Sequence, residues 1–332
     1  MDSLTQIVLG AAIGEAVLGR KIGNKALLYG AIAGTVPDLD VLASFFTDTV
    51  TALEIHRGFT HSIVFSVLFA PIFAFVVCKY EAYKNFKNWT SLFFWAFITH
   101  PILDAQTTWG TQLFWPLDLR LAFKNIFVVD PLYTLPFLVF LILAMCQKRA
   151  SKKRRFYTNL GLGISSSYLV LTFILKGISY QKFTKELATQ HITYKTIKTK
   201  PTPLNTILWT ANVETEASYF IGNSSFFDQN PIDFSEYPKN HYLLGKIAKH
   251  PKTERMIAIS KGWYTINKVN NNLYFNDLRF GVLSMQPNAT NFVFKYKIEI
   301  AADGTPFFIE EPKQKGDGKK LLIDLWTRIK GN

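Results

Sequence analysis

Three short motifs near the start of the sequence combine imidazole and carboxylate side chains. They are Pro37-Asp38-Leu39-Asp40, His56-Arg57-Gly58-Phe59-Thr60-His61-Ser62 and His100-Pro101-Ile102-Leu103-Asp104. Each motif adjoins or lies within an apolar run, where ionisable residues are costly and need a partner or a function. Imidazole nitrogens and carboxylate oxygens together are suitable ligands for Zn²⁺, Mn²⁺ or Fe²⁺. The motifs therefore predict a site for a divalent metal ion.

The spacing within the motifs favours this interpretation. His100 and Asp104 stand four residues apart, which places both side chains on one face of a helix. Gly58 disfavours a continuous helix through the second motif, so a turn is predicted to present His56 and His61. Several carboxylates in one region would also allow a centre with two metal ions.

The predicted residues divide into two roles. The predicted metal ligands are Asp38, His56, His61, His100 and Asp104, and the predicted catalytic residues are Asp40, Arg57 and Asp104. A bound cation lowers the pKa of water, while a spare carboxylate acts as a base or orients a ligating histidine. The guanidinium of Arg57 suits a phosphate or another anionic group. The sequence shows no phosphate-binding glycine loop, serine elbow or redox cysteine motif, so no organic cofactor is predicted.

Each motif also has a structural interpretation. The Asp38 region is compatible with a turn and a helix cap. His56 and His61 are compatible with interfacial histidines, and His100 with a hydrogen-bonded partner inside a helical bundle. Asp130 precedes a proline, as expected of a carboxylate at a helix N-terminus.

The elements that must position these residues are apolar runs in the first half of the chain. The clearest runs are 62–79, 128–146 and 160–175, each near the roughly 20 residues that cross a bilayer. The shorter runs 4–18, 26–36 and 90–104 are compatible with partly buried or re-entrant helices. Glycines four residues apart in the first two short runs predict that these helices pack closely together.

Three groups of basic residues predict the membrane orientation. They lie at 20–25, 79–87 and 148–155, and such groups are retained on the cytoplasmic side. Placing all three inside predicts a multi-pass membrane protein. In this arrangement the His and Asp motifs lie at the outer face, and the C-terminal domain is extracytoplasmic.

Beyond Gly177 the sequence alternates polar and apolar residues, as in strands. Strands are predicted at 192–198, 206–221, 256–267, 272–280 and 292–300, and amphipathic helices at 241–250 and 319–330. The second helix is expected to pack on a sheet in preference to lying on a membrane. The predicted fold is thus an α-helical membrane domain of about five to six helices over residues 1–178, followed by a soluble α+β domain with an antiparallel sheet over residues 179–332.

Charge and cysteine usage exclude other classes. The net charge is +13, but the halves carry 16 basic against 10 acidic residues through Lys176 and 21 against 14 after it, so neither half is a dedicated basic domain. Membrane lipid is therefore a predicted partner and nucleic acid is not. Cys78 and Cys146 both lie at ends of apolar runs, which argues against a disulfide framework or a thiolate site.

The three motifs, in this order, resemble the YdjM-like inner-membrane proteins, a family described as metal-dependent hydrolases. The third motif extends the resemblance as His100-x-x-x-Asp104-x-x-Thr107-x-x-Gly110 followed by Trp115-Pro116. The resemblance implies a location in the inner (plasma) membrane and hydrolase chemistry at these His and Asp residues. Related sequences can carry a His where Gln6 stands here and another where Val41 stands. Glu15, Asp118 and Asp130 are the candidates to replace such missing ligands.

The sequence thus predicts a membrane-bound metal-dependent hydrolase that acts on a phosphoester or lipid-derived substrate at the outer membrane face. The alternative is a non-catalytic membrane assembly or receptor protein whose soluble domain binds a partner. A transporter ranks last, because it would need polar groups through the membrane midplane.

Overall fold

Two structural units divide the chain, which the computed structural model describes over residues 1–312 and 318–331. The helical unit comprises Met1–Phe45, Ile55–Ile174 and Pro203–Asn205. The sheet unit comprises Phe46–Glu54, Leu175–Thr202 and the residues from Thr206 onward. Each unit contains its own buried apolar clusters.

The first 189 residues are mostly helical, with a long non-helical segment over 105–130. The elements are α1 Ser3–Ile22, α2 Asn24–Thr35, a 3-10 helix Pro37–Phe45, α3 Thr49–Ile55, a 3-10 turn Phe59–His61, α4 Ile63–Tyr80, α5 Phe86–Asp104, α6 Pro131–Met145 and α7 Lys152–Thr189. Side chains cap several of these helices: Ser62 accepts from the amide of Phe65 at 3.0 Å, and Asp130 accepts from the amide of Leu132 at 2.9 Å. Asp130 therefore has the structural role expected of a carboxylate before a helix.

Glycines allow α1 and α2 to approach closely. A Cβ atom built on Gly10 would lie 2.3 Å from the carbonyl oxygen of Gly30, and one on Gly30 would lie 2.1 Å from the oxygen of Gly10. A Cβ atom on Gly14 would lie 2.1 Å from the oxygen of Ala26. Residues with side chains do not permit such contacts, so the predicted close packing of the two helices depends on these glycines.

Large side chains fill the core of the helical unit. Phe65 of α4 belongs to one buried cluster with Trp89, Phe93 and Phe97 of α5. Other apolar residues on the same helices face outward, such as Leu68, which is 54% exposed. An apolar exterior around an apolar core is what a lipid environment requires.

Two helices among the described residues, Ile63–Tyr80 and Lys152–Thr189, are long and apolar enough to cross a membrane. The pair Asn24–Thr35 and Pro37–Phe45, bent by 43°, would add a third if it forms one broken span. The prediction of a helical N-terminal region with apolar helices is confirmed. Five to six membrane crossings remain a prediction.

The sheet unit contains two antiparallel sheets. The first has the strand order β1 Thr196–Pro201, β2 Leu208–Glu214, β3 Ser218–Ser225 and β4 Phe234–Pro238, and the second has β5 Tyr264–Val269, β6 Asn272–Val282, β7 Phe292–Ile300 and β8 Pro306–Glu310. Tyr219 and Tyr237 of the first sheet share a buried cluster with Leu278 and Phe292 of the second. Residues of α3 also belong to this unit: Val50 is buried in its core, and Glu54 pairs with Arg255 at 2.6 Å.

The structure corrects three details predicted for this unit. There are two four-stranded sheets instead of one, because strands pair with their sequence neighbours on either side of a helical segment. The amphipathic helix predicted at 241–250 is wrong, since Gly245 (φ 48°, ψ −127°) breaks the 3-10 segment His241–Lys249. The strand predicted from Met256 begins as helix α8 Pro251–Ile259, which a proline at its start favours.

The last helix, α9 Gly318–Ile329, was correctly predicted to pack on a sheet. Leu325 and Ile329 are buried in a cluster with Leu208 of β2. Other apolar residues of this helix, such as Trp326 at 59% exposure, face away from that cluster.

Replacing Gly30 by alanine should separate α1 from α2, because the new methyl group would overlap the carbonyl of Gly10. We expect Gly30→Ala to lower the free energy of unfolding by about 1–3 kcal/mol, although alanine is the better helix former. Gly163→Ala is the matched control, since no atom lies within 4 Å of its added Cβ. Thermal unfolding in detergent measures both, and equal midpoints for Gly30→Ala and Gly163→Ala would contradict the packing argument.

Candidate metal centre

Three segments of the helical unit carry the predicted site residues. Asp38 and Asp40 lie in the 3-10 helix that follows α2. His61 ends the 3-10 turn before α4, where the Ser62 cap fixes the start of the helix. His100 and Asp104 lie one turn apart near the end of α5. The helical spacing predicted for this last pair is therefore present.

Four side chains converge from these segments. Asp38, His61, His100 and Asp104 each offer a ligand atom, and the four atoms lie within 4.8 Å of one another. His61, His100 and Asp104 have fully buried side chains, whereas the side chain of Asp38 is 29% exposed. The group is thus enclosed in the helical unit and reaches solvent at Asp38.

Both imidazole rings are held by the nitrogen that faces away from the group. His100 Nδ1 lies 2.7 Å from the carbonyl oxygen of Gly34, which can only accept a hydrogen bond, so Nδ1 carries the proton. His61 Nδ1 lies 3.3 Å from Asp40 Oδ2 and 3.0 Å from Thr60 Oγ1. This leaves the Nε2 atoms of both rings toward the centre, as in metal sites where an outer partner fixes the ligating histidine.

The distances within the group match a small metal site. The two Nε2 atoms lie 3.2 Å apart, and Asp38 Oδ1 lies 3.4 Å from each of them. Asp104 Oδ2 lies 3.5 Å from His61 Nε2 and 3.8 Å from His100 Nε2. Ligand atoms at about 2.0–2.1 Å from a tetrahedral Zn²⁺ are roughly 3.3 Å apart. The donor set and its spacing therefore fit a divalent cation.

Asp40 holds the loop that carries the two histidines of the second motif. Its Oδ2 accepts the amide of Arg57 at 2.7 Å and the hydroxyl of Thr60 at 3.0 Å, and its Oδ1 lies 2.9 Å from His56 Nδ1. Arg57 has a φ of 59°, a left-handed conformation that these contacts hold in place. Asp40 is thus placed behind His61, and His56 lies on the far side of Asp40, outside the four-residue group.

Arg57 reaches the other side of the group. Its Nε lies 2.9 Å from Asp104 Oδ2, and its Nη1 donates to Thr107 Oγ1 at 3.0 Å. The amino group of Met1 also contacts Asp104. Buried cations beside this carboxylate compensate part of its desolvation.

Gln6 faces the same group from α1. Its Nε2 donates to Asp104 Oδ1 at 3.0 Å and to the carbonyl of His100 at 3.3 Å, while its Oε1 is buried without a hydrogen-bond partner. Val41, by contrast, is 55% exposed.

The three carboxylates considered as replacement ligands lie elsewhere. Glu15 pairs with Arg154 at 2.6 Å, Asp118 accepts from Gln112 at 3.2 Å, and Asp130 caps α6. Each is used by a partner outside the four-residue group.

The charge of the group is set by its carboxylates. Burial disfavours protonation of His61, but the neighbouring Asp104, Asp38 and Asp40 outweigh this effect and raise the pKa of His61 to about 9. The same carboxylates would attract a divalent cation, and ligation by His61 requires its neutral form, so metal binding would be coupled to proton release.

Comparison with known families decides the classification. The family model described as YdjM inner membrane protein matches residues 1–179, more than half of the chain. The chain belongs to the YdjM inner membrane protein family. The resemblance drawn from the three motifs is thereby confirmed, and so is an association with the inner membrane.

One curated protein is similar to part of this YdjM family chain. "Inner membrane protein YbcI" of Escherichia coli (strain K12) is 29% identical over 112 residues. The alignment covers 34% of this chain and 64% of YbcI, so the chain spans less than two thirds of that relative. No solved structure matches.

Within this YdjM family member, sequence reasoning missed two partners of the histidines. The carbonyl of Gly34 holds His100, and the hydroxyl of Thr60 lies beside His61 Nδ1. Thr60 stands inside the second motif, so its position was a signal. A backbone carbonyl leaves no trace in residue type, and the spacing of Gly34 indicated helix packing alone.

Removing a ligand should remove the metal. We expect His61→Ala and Asp104→Ala to lose most of the divalent metal that copurifies with the wild-type protein, whereas His191→Asn, an exposed histidine of the sheet unit, retains it. Asp40→Asn should keep the stoichiometry at saturating metal but weaken affinity by about 10–100-fold, because it holds His61 from behind. Elemental analysis and metal titration measure both, and unchanged metal content in His61→Ala would refute the site.

Proposed function

We propose that this protein is a membrane-bound metal-dependent hydrolase that acts on a phosphoester or lipid-derived substrate at the outer membrane face. The observation that carries the proposal is the buried convergence of Asp38, His61, His100 and Asp104 with both Nε2 atoms directed inward. Metal ligands that are purely structural are usually shielded from solvent, whereas hydrolytic sites keep an open position. Asp38 is partly exposed, so water could reach a bound cation on this side of the group and take a coordination position beyond the four side chains.

The residues of the site have distinct roles in this proposal. The four convergent side chains would hold the cation, which when bound would activate water for attack on the substrate. Asp40 orients His61 and fixes the backbone at Arg57. The guanidinium of Arg57 stands beside Asp104, where it would bind an anionic substrate group or stabilise negative charge that develops there.

The surroundings of Asp38 favour a lipid-derived substrate. In the same 3-10 helix, Leu39 and Val41 are each 55% exposed and Leu42 is 48% exposed. An opening bordered by exposed apolar side chains suits a molecule with acyl chains, because burying them there removes apolar surface from water. Arg57 would then meet the phosphate of such a molecule, and the chains would lie along this helix.

Turnover is the direct test of the proposal. The metal-loaded protein, reconstituted in vesicles, should release product from a phosphomonoester, phosphodiester or phospholipid, and an impermeant substrate should be cleaved in right-side-out vesicles. Arg57→Lys keeps the charge but loses the planar fork, so we expect kcat/KM to fall about 10²–10³-fold with metal content unchanged. Asp118→Asn, outside the group, is the control. A metal-loaded protein with no turnover across these esters and carboxylic esters would contradict the proposal.

A second candidate is a non-catalytic assembly or receptor protein, in which the metal group joins the helices and the sheet unit binds a partner. The observation that favours it is Gln6, an amide where related sequences can carry a histidine, placed against Asp104. In this case the cation contributes to stability alone.

Removing the metal separates these candidates when it is combined with the turnover assay. Both predict that a chelator lowers the melting temperature of the wild-type protein by several degrees, since a ligand at 1,000 times its dissociation constant stabilises by about 4 kcal/mol. His61→Ala should show no further decrease on chelation. Chelator-sensitive melting without turnover supports the assembly role, and chelator-insensitive melting of the wild-type protein argues against the metal site in both.

A further inference from the structure

A second polar site lies in the helical unit, where the end of α1 meets the start of α7. A cavity of about 310 Å³ opens there, at the lower end of the range of about 300–1,000 Å³ typical of ligand pockets. Its lining includes Arg20 of α1, Arg149 of the preceding loop, and Arg154 and Arg155 of α7, with Glu15 as a lining carboxylate. We call this the arginine pocket.

One arginine of the pocket is already neutralised. Arg154 donates from Nε to Glu15 Oε1 and from Nη2 to Glu15 Oε2, both at 2.6 Å, and both side chains are almost fully buried. Its Nη2 also donates to Asn24 Oδ1 at 2.8 Å. This bidentate pair joins α1 to α7 and closes one wall of the cavity without contributing net charge.

The other three arginines have no such compensation. Arg20, Arg149 and Arg155 are exposed, and within residues 1–312 and 318–331 none of them forms an ion pair or a side-chain hydrogen bond. Three guanidinium groups around one cavity repel each other, and an anion between them would remove that repulsion. The pocket therefore has the positive charge and the hydrogen-bond donors that an anion site requires.

The chemistry of the lining favours phosphate. Guanidinium groups bind phosphate oxygens in a bidentate manner, and Ser151 and Asn159 add polar side chains to the lining. The pocket also adjoins the first turn of α7, whose Ser151 hydroxyl accepts the amide of Arg154 at 3.1 Å. The free amides and dipole of a helix start favour an anion as well.

The neighbouring residues indicate which phosphate compound fits. Met145, the last residue of α6, is 42% exposed, and Phe156, which follows Arg155, is 60% exposed. These exposed apolar side chains lie on the two helices that flank the loop of Arg149, so a molecule with a phosphate head and acyl chains suits this region of the helical unit. Basic pockets between membrane helices on the cytoplasmic side bind anionic lipid headgroups, and the basic residues here are predicted to lie on that side.

We propose that the arginine pocket binds the phosphate of an anionic phospholipid. The site is separate from the metal group and does not depend on hydrolase activity. Binding would fasten the start of α7 to α1 through the lipid headgroup, next to the Glu15–Arg154 pair.

Two triple variants with equal loss of charge test the proposal. The pocket variant carries Arg20→Gln, Arg149→Gln and Arg155→Gln. The control variant carries Lys148→Gln, Lys152→Gln and Lys153→Gln, three exposed lysines of the same region that do not line the cavity. None of the six side chains is buried, so both variants are expected to fold, and a melt without lipid checks this. The single variant Arg149→Gln serves if the pocket variant does not fold.

The measurement is binding of phosphatidylglycerol to the purified protein in neutral detergent, by native mass spectrometry or lipid-dependent melting. An arginine beside an anionic lipid contributes about fivefold in affinity, so the pocket variant should bind about a hundredfold more weakly. The control variant should change little, because its three lysines do not line the cavity and interactions of exposed charges are weakened by physiological salt. Arg149→Gln alone should lose about fivefold.

Several results would overturn the proposal. Equal losses in the two triple variants would show diffuse attraction instead of a site. Equal binding of phosphatidylcholine would show that the negative headgroup is not recognised. Binding of inorganic phosphate without binding of phosphatidylglycerol would assign the pocket to a free anion.

Discussion

Compensation of buried charge is the interaction on which the helical unit depends. Asp38, His61, His100 and Asp104 meet inside the helical unit, and removing one partner of a buried charged group costs roughly 3–5 kcal/mol. The partners come from different segments: the carbonyl of Gly34 on α2, the carboxylate of Asp40 and the turn before α4. These segments must therefore dock together. The group that would bind a metal also determines how the surrounding chain is arranged.

The same principle operates at two levels along α1. Gln6 faces the metal group and Glu15 forms the ion pair with Arg154, nine residues and about 14 Å further along the helix axis. Between these two residues, the glycines of α1 let its backbone contact the backbone of α2 directly. One helix thus contributes to both polar centres of the unit and to its closest backbone packing. This explains why its sequence mixes small, polar and apolar residues, whereas α4 is mostly apolar.

The convergence of Asp38, His61, His100 and Asp104 could be predicted, because ionisable residues next to apolar runs rarely lack a partner. The sequence could not predict which of the His and Asp residues join the four-residue group and which lie behind it. Asp40 and His56 have the same residue types as the ligands, and the backbone amide of Arg57 and the hydroxyl of Thr60 are what draw Asp40 behind His61. In the sheet unit, the alternation of polar and apolar residues located most strands but did not reveal that they form two sheets. Alternation shows that a segment is a strand, but it does not show which strand it pairs with. Gly245 shows the same limit, since its backbone angles broke a pattern that was helical by side chain.

Gly34 contributes both to the packing of two helices and to the orientation of a histidine. A Cβ atom on Gly34 would lie 2.5 Å from the carbonyl oxygen of Gln6, and the carbonyl oxygen of Gly34 accepts the hydrogen bond from His100 Nδ1. A change in the distance between α1 and α2 would therefore also change the orientation of the His100 ring. In a mutational survey of this family that scores loss of function, substitutions of Gly34 should therefore be as damaging as substitutions of the histidines. The cause would be altered helix packing, because Gly34 has no side chain that takes part in the chemistry.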